Sequence, residues 1–406
     1  MVDTPRGNAV IGQSGGPTVV INQSLVGLVR AAAGVDAIEH VYGARHGVKG
    51  ILDEEFVDLG REDAATLDAV AATPAAALGS VRKKPTEEEC SRILDVFEAH
   101  DVRYFFYLGG NDSAETAHIV EGLAEEKGYD IRLFHVPKTI DNDLRVTDHC
   151  PGFGSAAKFV ASAVMGDDLD NRSIQGIKID VVMGRHAGFL TAATALARRH
   201  PDDGPHLIYV PEVAFDVDRF LDDVGATVER IGRCVVAVSE GIHDADGELI
   251  VKSGERDSHG NVQLSGSGAL GDLLAARVRG RFGSSTRVRA DTFGYLQRSF
   301  PGFASEVDAD EARRVGESAV EAATSGDHAS GSIALRRLDG PEYAVDCFVT
   351  PLDTVARVTK SLDPAFLNEA GNDVTDAWLD YVRPLAGALP VVGRFAGHPV
   401  EKRLGR

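Results

Sequence analysis

Short apolar runs rich in β-branched and aromatic residues alternate along this chain with longer stretches whose apolar positions recur at helical spacing. The runs at 8–12, 102–108, 131–136, 177–183, 207–210 and 234–239 predict buried strands. The stretches at 18–33, 86–100, 113–127, 154–171, 186–200, 216–231 and 269–282 predict helices. The second of these opens on Thr86-x-x-Glu89, a capping box ahead of Ile93, Leu94, Val96 and Phe97. Such alternation predicts βαβ units, a parallel sheet and helices on both its faces. Turn residues at 244–247 and at Asp339-Gly340 predict two hairpins. From about Ser330 the alternation weakens, and residues 330–406 read as a C-terminal extension.

Length and composition narrow the class. With 406 residues the chain exceeds one typical core, so two or three domains are expected. Hydrophobic and charged shares of 43% and 26% are those of a soluble globular protein, and no apolar stretch is long enough to span a membrane. The N-terminus lacks the basic-then-apolar layout of a signal peptide, which points to the cytoplasm. Cys90, Cys150, Cys234 and Cys347 are far apart and form no C-x-x-C pair, so they read as reduced structural thiols. A net charge of −20 argues against nucleic acid or an anionic membrane as partner. If the substrates are phosphates, a few basic residues beside glycine loops must build a local positive field against the global one.

Most polar motifs fall just after a predicted strand, where open α/β sheets bind ligands. Pro137-Lys138-Thr139-Ile140-Asp141-Asn142-Asp143 is the most informative of them. Two carboxylates two positions apart share one side of extended backbone, with a lysine and a threonine hydroxyl upstream. That set suits taking a proton from a sugar hydroxyl while steering an anionic phosphoryl group, although an ordinary polar strand end has the same composition. Ser14-Gly15-Gly16-Pro17-Thr18 lies between a strand and a helix, so its amides and the helix dipole suit a phosphate. A tight strand-to-helix turn needs glycine regardless, and no Gly-Lys-Ser/Thr follows, so it is not a Walker A sequence. Leu108-Gly109-Gly110-Asn111-Asp112-Ser113 repeats the arrangement. There Asp112 caps the next helix, with Glu115 completing a capping box, or serves chemistry, or both.

Together these loops resemble the phosphofructokinase family. The resemblance runs in order through Met183-Gly184-Arg185-His186-Ala187-Gly188, Pro211-Glu212-Val213, Ser239-Glu240-Gly241 and Phe293-Gly294-Tyr295-Leu296-Gln297-Arg298, over roughly residues 8 to 300. It implies that Asp141 is the general base for the sugar 1-hydroxyl, that Thr139 and Ile140 line the same loop, and that Asp143 supports them. It implies contacts to fructose 6-phosphate from Met183, Gly184 and Arg185, and to sugar hydroxyls from Glu240. Tyr295, Leu296, Gln297 and Arg298 match the segment that grips the sugar phosphate. Arg289 matches an arginine that reaches the 6-phosphate from a neighbouring subunit. Gly16 and Arg82 match donor-side phosphate contacts, with Lys83 and Lys84 nearby. Arg185 and Arg298 as surface ion pairs, and Glu240 as a solvated strand end, are the plain alternatives. His186 reads as a packing or helix-start residue, since nothing at metal spacing accompanies it.

The resemblance also speaks to the donor. In ATP-using relatives the positions of Asp112 and Lys138 are usually glycines that leave room for the α-phosphate. A carboxylate there fills the space and adds like charge at ~4 Å, a cost of a few kcal/mol at intermediate dielectric. Lys138 adds a cation able to hold pyrophosphate and offset transition-state charge. Both changes match the pyrophosphate-dependent branch: reversible transfer from pyrophosphate to the 1-hydroxyl of fructose 6-phosphate. Asn111 stands where the family commonly has a magnesium-linked aspartate; its neutral oxygen attracts Mg2+ less, leaving the ion mainly to pyrophosphate and water. Gly176 replaces a second subunit-crossing arginine, and Tyr295 replaces a histidine common in ATP users. The implied architecture is α/β, two Rossmann-like lobes with parallel sheets and an active-site cleft between them. The donor lobe covers 1–151 and is completed by chain after about 297; the sugar lobe covers 152–296. Arg289 implies at least a homodimer. An ATP-dependent enzyme, a sugar phosphate-sensing paralogue without activity, and sedoheptulose 7-phosphate as acceptor stay open.

Overall fold

The computed structural model of the protein describes residues 4–251 and 267–404. Among these, eleven strands form two sheets. The first contains β1 (Gly7–Gln13), β2 (Ile38–Ala44), β3 (Phe56–Asp58), β4 (Val102–Gly109) and β5 (Arg132–Pro137). The second contains β6 (Ile177–Val182), β7 (Leu207–Tyr209), β8 (Cys234–Ser239) and β9 (Val288–Thr292). β10 (Ser330–Arg337) and β11 (Val345–Thr350) return to the first sheet, whose order is β11-β10-β5-β4-β1-β2-β3. The second sheet, β7-β8-β6-β9, is parallel throughout. The first is parallel only from β10 to β2; β11 and β3 are antiparallel edges.

The continuous apolar run Tyr104-Phe105-Phe106-Tyr107 is buried on both faces of β4, as a central parallel strand requires. Tyr104 and Phe106 face Leu25 and Leu28 of the helix Ile21–Ala32 and Val315 and Ala319 of the helix Glu306–Thr324. Phe105 and Tyr107 face Ile93 and Phe97 of the helix Glu87–Ala99, with Ala117 and Val120 of the helix Asn111–Lys127. The second sheet packs one face on the helices Val217–Ile231 and Ala269–Phe282. Its other face meets the helix Phe153–Ser173 and Trp378, Val382 and Leu385 of the helix Asp376–Ala386. The two units are tied where Gly152 N and Ser155 N, at the start of the helix Phe153–Ser173, each donate to the Asp308 carboxylate at 2.8 Å.

Several elements differ from expectation. The stretch after 330, read as an extension, opens with two strands of the first sheet, and the hairpin at Asp339-Gly340 is their connection. The predicted helix 186–200 is a short helix, Phe189–Ala193, followed by a 3-10 turn, Thr194–Ala197. It ends where Arg198 turns extended and its guanidinium reaches Pro205 O and Asp373. The helix Ile21–Ala32 starts three residues later than predicted, and Val20 gives it no side-chain cap. The capping box of Thr86 and Glu89 is present in both its bonds, at 3.2 and 3.0 Å.

Candidate active site

A cavity of about 400 Å3 opens between the carboxyl ends of the strands of the two sheets. From the first sheet, the turn after β1 brings Gly15 with φ of +72°, a conformation only glycine takes without cost. A Cβ on Gly16 would stand 2.5 Å from the Arg298 guanidinium and 3.6 Å from that of Arg82. Glycine therefore lets Arg298 close on this loop, beside Arg82. Ser14 N and Gly15 N donate to Leu108 O and Val81 O, which holds the loop against β4.

After β4 the helix Asn111–Lys127 begins at the cavity wall, so its positive N-terminus faces the cleft. Of the two roles open to Asp112, capping is not found: Gly110 is the cap residue, and Asp112 stands in the first turn, exposed, and lines the cavity. Glu115 closes no capping box either. It pairs with Lys84 at 2.6 Å and Arg357 at 2.7 Å. Asn111 lines the cavity, and its Oδ1 is buried without a hydrogen-bond partner among the described residues.

After β5 comes the loop with both carboxylates. Lys138 is buried, and its Nζ donates to Gly16 O at 2.5 Å. Burial, with the charges of Arg298 and Arg82, pushes its ammonium down to about 7. Thr139 Oγ1 accepts from Asp141 N at 3.1 Å and donates to Asp143 Oδ1 at 3.3 Å. The backbone is not extended as expected: Asn142 has φ of +56°. A left-handed residue between them, not strand alternation, keeps Asp141 and Asp143 together in the cavity lining. Burial, then Asp143 and Glu240, pushes the Asp141 carboxyl up to about 7, against the opposing pull of Arg298 and Lys138. Burial raises Asp143 as well.

The second sheet contributes Met183 and Arg185 after β6 and Glu240 after β8, the last nearly buried and not a solvated strand end. Ile140 lines the cavity from the opposite loop and packs into the core with Met183. The segment after β9 forms a 3-10 turn, Gly294–Arg298, in which residues three apart share a face. Tyr295 and Arg298 therefore line the cavity together, the guanidinium 4.6 Å over the phenol ring. For the same reason Leu296 and Gln297, expected to grip a phosphate with them, lie outside the lining. Leu296 is exposed; Gln297 is buried, accepting from Met183 N at 3.1 Å and donating to Gly294 O at 2.9 Å. Gly184 also lies outside the lining, its carbonyl taken by Ser239. Arg289 is exposed on edge strand β9, away from the cavity of its own chain. His186 neither packs nor starts a helix; it is exposed and lines the cavity. Thr359 lines it too, placed by the bridge between Leu144 and Thr359, and nothing in the local sequence signalled it.

The arrangement gathers arginine and lysine charge and a carboxylate with raised proton affinity in one cleft. It can hold phosphate esters and take a proton from an alcohol. Comparison with known proteins agrees with that chemistry. The family model described as Phosphofructokinase matches residues 8–323. A pyrophosphate–fructose 6-phosphate 1-phosphotransferase of Rhodospirillum rubrum is 53% identical over 406 residues, covering 99% of this chain and 100% of the relative. One from Xanthomonas campestris is 43% identical, covering 97% and 95%. The crystal structure of a pyrophosphate-dependent phosphofructokinase from Nitrosospira multiformis superposes with a TM-score of 0.84 at 36% identity, over 97% of this chain and 95% of that one.

Proposed function

This chain belongs to the phosphofructokinase family, and on that premise we propose that it moves a phosphoryl group reversibly from pyrophosphate to the 1-hydroxyl of fructose 6-phosphate. The products are fructose 1,6-bisphosphate and phosphate. The observation that carries the donor is Lys138, buried against the Gly15-Gly16 loop, with Asp112 lining the same cavity. A pyrophosphate meets a cation there; the α-phosphate of a nucleotide meets a carboxylate.

Asp141 accepts the proton of the 1-hydroxyl, the oxygen attacks the near phosphorus, the bridging P–O bond breaks, and phosphate leaves. Lys138 and Arg82 supply fixed positive charge where the transferring group spreads its negative charge. Arg185 and Glu240 orient the sugar, and Tyr295 and Arg298 take its 6-phosphate with Arg289 of a second copy. The buried, unpartnered Asn111 Oδ1 fits a hard divalent cation, Mg2+ in this reading, held mainly by pyrophosphate oxygens. When bound, the ion would neutralise phosphate charge during transfer. The working form is then at least a homodimer, and the setting the cytoplasm. Neither nucleic acid nor a membrane is a partner, and no helix among the described residues is long and apolar enough to cross a membrane.

The test is a coupled assay with either donor. Turnover with pyrophosphate and magnesium, at least ~100-fold above that with ATP as a few kcal/mol of repulsion requires, is expected. Equal or faster turnover with ATP overturns the donor assignment.

A further inference from the structure

The loop that carries Asp141 is held from behind by chain lying beyond residue 323, where the family match ends. Asn142, between the two carboxylates, is fully buried at positive φ, a setting that asparagine tolerates better than most residues. Both ends of its side chain are used. Nδ2 donates to the Tyr381 hydroxyl at 3.0 Å, and Oδ1 accepts from Cys150 N at 3.0 Å. Tyr381 stands on the helix Asp376–Ala386 and donates its own proton to Asp148 O at 2.9 Å, so the phenol is fixed as acceptor toward Asn142. The Arg337 guanidinium stacks 4.6 Å over the Tyr381 ring and pairs with Asp148 at 3.3 Å. Trp378, Val382 and Leu385 bury the same helix under the second sheet. A second grip comes from Lys360, whose backbone N donates to Asp143 O at 2.6 Å.

We propose that Tyr381 is a positioning residue for phosphoryl transfer, acting through Asn142 to hold Asp141 and Asp143 in their working orientation. The segment from Thr359 to Tyr381 is then a clamp on the base loop. Tyr381 does not line the cavity, so it acts only through Asn142. Without the phenol, Asn142 Nδ2 is left buried and unpaired, and the strained turn loses one of its two side-chain anchors. The inference rests on the reading of Asp141 as the base.

Tyr381→Phe tests it. A carboxylate displaced by about an ångström is expected to lower kcat roughly 10- to 100-fold, with KM for both substrates within about twofold of wild type. Water admitted to the loop also relieves the burial of Asp141, so the acidic limb of the kcat/KM profile moves to lower pH. The charged groups facing Asp141, namely Asp143, Glu240, Arg298 and Lys138, are untouched by the change. Asn142→Gly keeps the positive φ, removes both side-chain bonds, and is expected to reproduce the limb shift; it decides the matter if Tyr381→Phe fails to fold. Tyr343→Phe serves as control, because it breaks the 2.6 Å bond to Glu311 within the same buried network without touching Asn142. It should lower the melting temperature and leave the limb in place. Wild-type kcat in Tyr381→Phe, or a loss of activity with an unmoved limb in both Tyr381→Phe and Asn142→Gly, overturns the clamp. Retained turnover in Asp141→Asn sinks the base assignment instead, whatever the tyrosine variants do.

Discussion

Lys138 and Asp141 lie three residues apart, and the protein around them moves their proton affinities in opposite directions toward the same value of about 7. The signs decide the pH dependence. In the proposed reaction Asp141 must be ionised, so activity falls as pH drops below about 7; Lys138 must be charged, so activity falls as pH rises above about 7. The kcat/KM profile is therefore expected to be a narrow bell centred near neutrality. Pyrophosphate stabilises the ammonium, so the alkaline limb of kcat should lie at higher pH than that of kcat/KM. A flat plateau across two or more pH units on either side of 7 would contradict this. Asp141→Asn is expected to abolish turnover by at least ~100-fold with substrate affinity kept, as loss of a general base requires; fluorescence or calorimetric binding alongside steady-state assay checks both parts. Asp112→Gly with Lys138→Gly should erode pyrophosphate use and admit ATP, which the two-donor assay reads directly. The identities of these residues were legible from their motifs. Their environment was not: a lysine in a sequence gives no sign that Arg82 and Arg298 will close on it.

At the scale of elements, local chemistry explains both what could be read and what could not. The capping box at Thr86 and Glu89 forms because two residues three apart satisfy each other's amides whatever the surroundings. Thr86→Ala should cost about 1 kcal/mol, read as a lower urea midpoint at unchanged slope. The same pattern at Asp112 and Glu115 forms no box, because the helix starts earlier, with Gly110 as its cap and Asp112 already in the first turn, and Glu115 pairs with Lys84 and Arg357. The turn after β9 shows the same limit. Its four matched residues looked equivalent as a string, but a 3-10 turn sends Tyr295 and Arg298 into the cleft and Gln297 into the protein. The helices Glu306–Thr324 and Asp376–Ala386 went unread although their buried positions, Ala312, Val315 and Ala319 in one and Trp378, Val382 and Leu385 in the other, do recur at helical spacing. The first is diluted by alanines and charges, and the second is carried by only three large residues.

Over the whole molecule the groups proposed to act come from the ends of two separate sheets, and the sugar half is proposed to be completed by a second copy. Arg289, exposed on edge strand β9, is the residue that would cross. Arg289→Ala and Asp141→Asn proteins, each inactive alone, should regain about a quarter of wild-type activity when refolded together, since half the dimers are mixed and each has one intact site. No recovery would show that each chain builds its site by itself. What the sequence alone determined was the βα alternation, with most central strands, and the set of residue types that phosphate chemistry needs, because both are written in short-range pattern and composition. Tertiary structure decided which of those residues face one another, how burial tunes Lys138 and Asp141, and how chain beyond 330 returns to finish the first sheet and reach the loop of Asp141. These depend on contacts between residues far apart in the chain, such as Asn142 and Tyr381 at 239 positions, and no local pattern encodes such a distance.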